Sequence, residues 1–193
     1  MDGAEPRLVV SRCLLGTACR WDGASKPCPS LAGLPAGWTL LDVCPEEDVG
    51  MGTPRPPIAV VEHRGLRLHE TASRRDWTEA MEGWCRFLAR VLVADGLAGA
   101  VLKARSPSCG RGDVEVFAGP GGTAPSLEPG RGRRRNGDGF WARALMDADP
   151  ELPLINDEEL AVPELREEFL RKARERRDRQ AQPGGPVRLI STT

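Results

Sequence analysis

The sequence predicts an α/β domain of three layers, in which helices cover both faces of a mostly parallel sheet. Short, largely apolar runs with the length of buried strands alternate with segments of helical periodicity, and this alternation is typical of parallel sheets. A length of 193 residues fits one domain of ordinary size. We therefore expect one Rossmann-like domain over residues 1–180, with its ligand site at the carboxyl ends of the strands, and a flexible C-terminal tail over residues 181–193.

Strands are predicted at the largely apolar runs that lie between turn-forming residues. Three of these runs, at residues 8–11, 40–43 and 98–102, are each followed by a cysteine, namely Cys13, Cys44 and Cys109. Further strands are expected at residues 114–117, 152–155 and 187–190. If the first three strands are neighbours in a parallel sheet, their carboxyl ends bring three thiols to one edge.

Helices are predicted where apolar residues recur at three- and four-residue spacing. The segment 76–95 shows this pattern from Ala80 to Leu92, with Asp76 as its expected cap and Gly96 as its expected stop. Two more helices are expected at residues 140–146 and from Pro163 to about residue 179.

The stretch 118–139 is rich in glycine and proline and is predicted to be a solvated loop. Its basic residues leave contact with a phosphate-bearing substrate open as an alternative. These residues are Arg131, Arg133, Arg134 and Arg135.

Charge and hydropathy exclude several classes of function. The 27 lysines and arginines against 28 acidic residues give a net charge of −1, which argues against a general nucleic-acid coat protein. No apolar run approaches the roughly 20 residues of a membrane span, and the polar N-terminus lacks the features of a signal peptide. We therefore expect a cytoplasmic protein with no membrane partner, in which cysteines serve metal binding or catalysis rather than disulfides.

The spacing of the six cysteines favours a metal cluster over other thiol chemistry. No C-x2-C pair is present, so a zinc ribbon is not indicated. A nucleophilic cysteine would need a histidine partner, and His63 and His69 lie in a segment with no other site character. Three thiolates at one sheet edge suit an iron–sulfur cluster whose fourth iron stays open as a Lewis acid for a soft atom such as sulfur. Of the other cysteines, Cys85 is expected to be a buried hydrophobic residue and Cys19 and Cys28 free loop thiols. A role for Cys19 or Cys28 as a substitute ligand stays open, above all for Cys19, which is close in sequence to Cys13.

Groups suited to proton transfer lie next to two of these cysteines. Glu46 follows Cys44 by two residues, and Ser106 and Ser108 precede Cys109. A carboxylate near a reacting group can act as a general base. The turns C-P-E-E and S-P-S-C-G could instead merely close strands, but their coincidence with cysteines favours the functional interpretation.

Four sequence blocks surround the three cysteines. Residues 11–16 with 20–23 match the pattern S-x-C-L-L-G…R-Y-D-G, and residues 44–46 with 50–57 match C-P-E…G-x-x-x-P-R-P-P. Residues 103–110 match K-x-x-S-P-S-C-G, and residues 135–145 resemble R-N-G-x-G-x-F-A-R-A-L. Over about residues 8–172 the chain thereby resembles the thiouracil desulfurase family, and the fourth block resembles a branch of it linked to 4-thiouridine species. Trp21 stands where the family pattern has tyrosine, an aromatic change that keeps a surface for stacking on a base.

The resemblance implies a [4Fe-4S] cluster on Cys13, Cys44 and Cys109, with one iron not ligated by the protein. It implies that the sulfur of thiouracil, 4-thiouridine or 4-thio-UMP binds this iron and that water replaces the sulfur without net electron transfer. Proton transfer and water positioning would fall to Glu46, Ser106 and Ser108. Substrate-binding residues would be Arg20, Asp22 and Arg55, although a structural ion pair is an equal alternative for either arginine.

Several alternatives stay open at this point. The protein could be a cluster-binding sensor or a thiopyrimidine-binding protein without turnover, or a zinc-stabilised structural domain. A small thiopyrimidine is the expected substrate, and thiolated tRNA is a further alternative. Glu47 and Asp48 add carboxylates beside Glu46, so the sequence leaves the choice of base undecided.

Overall fold

The computed structural model describes residues 5–118 and 133–181. In chain order the strands are β1 (Arg7–Ser11), β2 (Thr39–Val43), β3 (Ile58–Glu62), β4 (Leu66–Glu70), β5 (Gly99–Leu102), β6 (Val114–Ala118), β7 (Arg133–Gly137) and β8 (Leu154–Asn156). The helices are α1 (Pro45–Asp48), α2 (Thr78–Ala94), α3 (Phe140–Ala148), α4 (Asp157–Leu160) and α5 (Pro163–Gln180), with 3-10 turns at Arg12–Leu15 and Pro29–Gly33.

The first sheet is parallel throughout, with the strand order β2-β1-β5-β8. Its register places Ser11 opposite Val43 and Leu102 opposite Asn156, so the carboxyl ends of these strands meet at one edge. The predicted strands at residues 8–11, 40–43, 98–102 and 152–155 are thereby confirmed, with small shifts at their ends.

Both faces of this sheet are buried. Leu8 and Val10 of β1 belong to the apolar cluster that contains α5, whereas Val9 belongs to the cluster that contains α2 and α3. This alternation follows from the two-residue period of a strand, and burial of both faces explains why the strand reads as a continuous apolar run. The predicted three-layer α/β arrangement is confirmed. Cys85 on α2 is fully buried among apolar side chains, as predicted.

A second sheet, in the order β4-β3-β6-β7, is mixed, since β3 and β6 are parallel and the two outer pairings are antiparallel. Of its strands, the sequence analysis predicted only β6. The predicted loop over 118–139 is wrong at both ends, because residue 118 closes β6 and Arg133–Gly137 forms β7. Backbone pairing with β6 makes β7 a strand, although its residues show no apolar pattern. Arg131 and the side chains of residues 133–135 lie outside the described part, and so does the predicted phosphate contact.

The helices follow the predicted segments closely. Helix α2 begins at Thr78 rather than at residue 76, because the carboxylate of Asp76 accepts a hydrogen bond from the Thr78 N–H at 2.8 Å. Gly96, just beyond the end of α2, has a φ of 82°, the left-handed conformation that stops a helix. The strand predicted at residues 187–190 and the tail from residue 182 lie outside the described residues. Within the described ranges, no helix combines the length and apolarity needed to cross a bilayer.

Candidate functional site

The three cysteines predicted to converge line one pocket at the carboxyl edge of the parallel sheet. Cys13 lies in the 3-10 turn after β1, Cys44 immediately precedes α1 after β2, and Cys109 lies in the loop after β5. Each is at most 8% exposed, and the pocket that they share has a volume of about 410 Å³. The sheet order β2-β1-β5 makes this convergence a direct result of topology.

The loop that carries Cys109 is held by close backbone packing. The Trp141 N–H donates to the Ser108 carbonyl oxygen at 2.7 Å, and a Cβ atom at Gly139 would lie 2.7 Å from that same oxygen. The Gly139 N–H in turn donates to the Gly110 carbonyl at 2.7 Å. The start of α3 therefore supports the Cys109 loop. This close approach explains why Gly139 of the fourth sequence block has no side chain.

Lys103 fastens neighbouring strand ends together at the pocket wall. Its backbone N–H donates to the Ser11 hydroxyl at 3.0 Å, and its Nζ lies 3.1 Å from both carboxylate oxygens of Asp157. Asp157 also accepts the Ala104 N–H at 2.7 Å. The ends of β1, β5 and β8 are thereby tied to one another, and the charge of Lys103 is matched within the protein.

Glu46 lies between an arginine and a pair of serines inside the pocket. It is 9% exposed, and its Oε2 accepts a hydrogen bond from Arg55 Nε at 2.6 Å. Its Oε1 accepts a hydrogen bond from the Ser108 hydroxyl, whose oxygen is 3.0 Å from that of Ser106. The result is a continuous chain of hydrogen bonds from a buried carboxylate to two hydroxyls beside Cys109.

The Arg55 guanidinium is buried, and each of its nitrogens has a protein partner. Besides Glu46, it donates to the carbonyl oxygens of Gly52 at 2.6 Å and Cys19 at 2.8 Å, and to the Thr53 hydroxyl at 2.9 Å. Arg55 was predicted to bind substrate, but these contacts favour the alternative of a structural ion pair. The arginine fixes the position of the Glu46 carboxylate.

Of the remaining predicted binding residues, Arg20 lines the pocket and Asp22 does not. Arg20 lies 3.4 Å from Asp22, which is exposed and closes a turn by accepting the Ala24 N–H at 3.1 Å. Trp21 also lines the pocket, and about half of its surface, 47%, is exposed to solvent. Of the described cations that line the pocket, Lys26 is the one without an acidic partner.

The sequence model of one protein family, 2-thiouracil desulfurase, matches residues 8–157. The chain belongs to the 2-thiouracil desulfurase family. The resemblance to the thiouracil desulfurase family is thereby confirmed, and the match covers Cys13, Cys44 and Cys109.

This chain is also similar to two individual proteins. "Uncharacterized protein YbbK" of Bacillus subtilis (strain 168) is 34% identical over a match that spans 55% of this chain and 75% of the relative. The solved structure of the [4Fe-4S]-dependent thiouracil desulfidase TudS is 29% identical and superposes with a TM-score of 0.64. That superposition covers 86% of this chain and 98% of the desulfidase.

Burial holds the thiols of this family member in their neutral form. It raises the pKa of Cys13 to about 11, with a further increase from the neighbouring Cys44 and a partial offset from Lys103. Burial also raises the pKa of Cys44 and, more strongly, that of Cys109. Near neutral pH these thiols would therefore ionise only when a metal compensates the thiolate charge.

The pocket contains a fourth thiol, Cys19, which the sequence analysis placed in a loop as a free thiol. It is 1% exposed and lines the pocket, and burial raises its pKa to about 12. The Cys44 Sγ lies 3.8 Å from the Cys19 carbonyl oxygen. The signal that could have found it is its position inside the first block, six residues after Cys13. Cys28, His63 and His69 are not among the residues that line this pocket.

Proposed function

We propose that the protein removes sulfur from thiolated pyrimidines by hydrolysis, with a [4Fe-4S] cluster held by Cys13, Cys44 and Cys109. The observation that carries this proposal is the meeting of three buried thiols in one pocket. The three thiols come from the separate segments that follow β1, β2 and β5, and thiolates are the ligands that iron–sulfur clusters require. Family membership and the structural similarity to a [4Fe-4S]-dependent desulfidase support it.

The proposed reaction exchanges one atom and transfers no electrons. A thiocarbonyl and water give a carbonyl and hydrogen sulfide, so atoms and charge balance without a reductant. When bound, a cluster with three protein ligands supplies an iron that polarises the thiocarbonyl sulfur as a Lewis acid.

Glu46 is the group we assign as general base toward the attacking water. It is a buried carboxylate at the pocket wall, and Arg55 holds it in one orientation. The Ser108 and Ser106 hydroxyls extend its hydrogen-bond chain along the pocket, so they can position water and move a proton. Glu47 is bound to Arg12 and Thr53 and, unlike Glu46, is not among the residues that line the pocket, which favours Glu46 as the base.

The substrate we propose is a small thiopyrimidine. A pocket of about 410 Å³ suits such a ligand. The half-exposed Trp21 at the pocket offers a stacking surface for the ring, and Lys26 offers an unmatched positive charge for an anionic substituent. These features favour a phosphate-bearing form such as 4-thio-UMP over the neutral base. We propose the cytoplasm as the place of this reaction.

The first test is the iron and acid-labile sulfide content of the anaerobically purified protein. We expect about four of each per chain, and loss of both in Cys13→Ala, Cys44→Ala and Cys109→Ala. Cys28→Ala is the matched control, since Cys28 is half-buried and does not line the pocket. Zinc in place of iron, or iron that survives removal of the three cysteines, would contradict the proposal.

A further inference from the structure

Three ligand atoms, two of them on cysteines that line the pocket, are close enough to share a single ion. The Sγ atoms of Cys19 and Cys44 and a carboxylate oxygen of Glu47 all lie within 4.8 Å of one another. Zinc binds thiolate sulfur at about 2.3 Å and carboxylate oxygen at about 2.0–2.2 Å, so one ion fits among the three atoms. Thiolates that bind different irons of a cluster lie farther apart than thiolates that share one ion, because each must reach its own metal.

Neighbouring residues hold two of these groups in place. The Thr53 hydroxyl donates to Glu47 Oε1 at 2.7 Å, and Arg12 Nη1 donates to Glu47 Oε2 at 3.1 Å. The Arg55 guanidinium donates to the Cys19 carbonyl at 2.8 Å. Hydrogen bonds of this kind fix ligand orientation in metal sites, and a ligating carboxylate is usually hydrogen-bonded in this way.

We propose that Cys19, Cys44 and Glu47 form a mononuclear site for a soft divalent cation of the zinc class in the protein that carries no cluster. Two thiolates and one carboxylate are a ligand set that zinc accepts, with the fourth position open to water. Because Cys44 also belongs to the proposed cluster, the single ion and the cluster exclude each other. That exclusion rests on the proposed function, whereas binding of the single ion does not.

The experiment titrates the cluster-free, full-length chain with Zn²⁺ under anaerobic conditions, in competition with a chromophoric chelator. We expect one ion per chain. Removal of a group that only hydrogen-bonds to a metal ligand lowers metal affinity about 10- to 100-fold. Removal of a ligand itself, in Cys19→Ala, should therefore lower the Zn²⁺ affinity at least about 100-fold. Cys28→Ser is the matched control and should leave the affinity unchanged, because Cys28 does not line the pocket.

Cd²⁺ provides a second measurement that counts the thiolates directly. The sulfur-to-cadmium charge-transfer absorbance should fall by about half in Cys19→Ala and keep its intensity in Glu47→Gln, which removes an oxygen ligand only. Glu47→Gln also keeps the test decisive if Cys19→Ala folds poorly, since its Zn²⁺ affinity should fall while the Cd²⁺ absorbance stays.

Two results would overturn the site. One is Zn²⁺ affinity that is unchanged in both Cys19→Ala and Glu47→Gln. The other is affinity that is lost equally in Cys13→Ala and Cys109→Ala, which would place the ion on the proposed cluster ligands. Failure of the chain to load iron would instead count against the proposed function and leave the Zn²⁺ titration interpretable. If both proposals hold, prior Zn²⁺ lowers iron loading in the wild type but not in Cys19→Ala.

Discussion

At the scale of single residues, substitution of Glu46 distinguishes a catalyst from a protein that only binds a cluster. Glu46→Gln keeps the side-chain shape but removes the group that can take a proton from water. Removal of a general base costs about 10²- to 10⁴-fold, so we expect kcat for sulfide release to fall by that factor while iron content stays. The measurement is sulfide release from 4-thiouracil together with iron per chain.

Glu79→Gln is the control for that variant, because Glu79 is exposed in the first turn of α2, away from the pocket. Unchanged turnover in Glu46→Gln would exclude Glu46 as the base. A wild-type protein that loads a complete cluster and releases no sulfide would favour the sensor alternative.

Prediction of single residues succeeded where a reactive side chain follows an element that can be recognised in the sequence. Cys13, Cys44 and Cys109 could be brought together because each follows a strand that reads as buried. Its spacing from Cys13 left Cys19 open as an alternative ligand but could not place it, because its place in the pocket depends on how the chain folds back after the first turn. Its neighbourhood is fixed by Arg55, which lies 36 residues away in sequence. Sequence spacing carries no information about such a contact.

At the scale of elements, the start of α3 supports the loop that carries Cys109. A Cβ atom at Gly139 would lie 2.7 Å from the Ser108 carbonyl carbon and oxygen and 2.9 Å from the Cys109 nitrogen, all backbone atoms that cannot rotate away. We expect Gly139→Ala to lower the free energy of unfolding by about 1–3 kcal/mol and to reduce iron loading. Thermal unfolding and iron per chain measure the two effects.

Gly83→Ala is the matched control on α2. No atom lies within 4 Å of a Cβ built at Gly83, which is exposed. Alanine there should stabilise the helix by about 0.5–1 kcal/mol. If Gly139→Ala behaved like Gly83→Ala, the close approach of α3 to the Cys109 loop would not contribute to stability or iron loading.

The elements also show why part of the fold was predictable. Strands of the parallel sheet are buried on both faces, so their apolar runs stand out in the sequence. Strands β4 and β7 lie at the edges of the second sheet, and their identity comes from backbone pairing with β3 and β6. Residue type constrains an edge strand weakly, which explains why the Arg-rich β7 was predicted to be loop.

At the scale of the whole molecule, net charge decides how an anionic substrate can be attracted. With a net charge of −1 the chain supplies no strong long-range field, so attraction must come from local groups at the pocket. Lys26 is the pocket cation without an acidic partner among the described residues, whereas Arg12, Arg20, Arg55, Lys103 and Arg105 all have one. Discrimination between a phosphorylated and a neutral thiopyrimidine should therefore depend on Lys26.

Lys26→Ala tests this directly. A hydrogen bond to a charged group contributes about 1.5–3 kcal/mol, so kcat/KM for 4-thio-UMP should fall by about 10- to 100-fold while that for 4-thiouracil changes little. Lys172→Ala is the control, since Lys172 pairs with Glu168 on α5 and does not line this pocket.

Salt dependence supplies the second readout. A single phosphate gives a shallow decline of log kcat/KM with log salt, whereas an RNA substrate that neutralises many phosphates gives a steep one. Equal losses for both substrates would exclude Lys26 as the phosphate contact, and a steep slope would direct attention to thiolated tRNA.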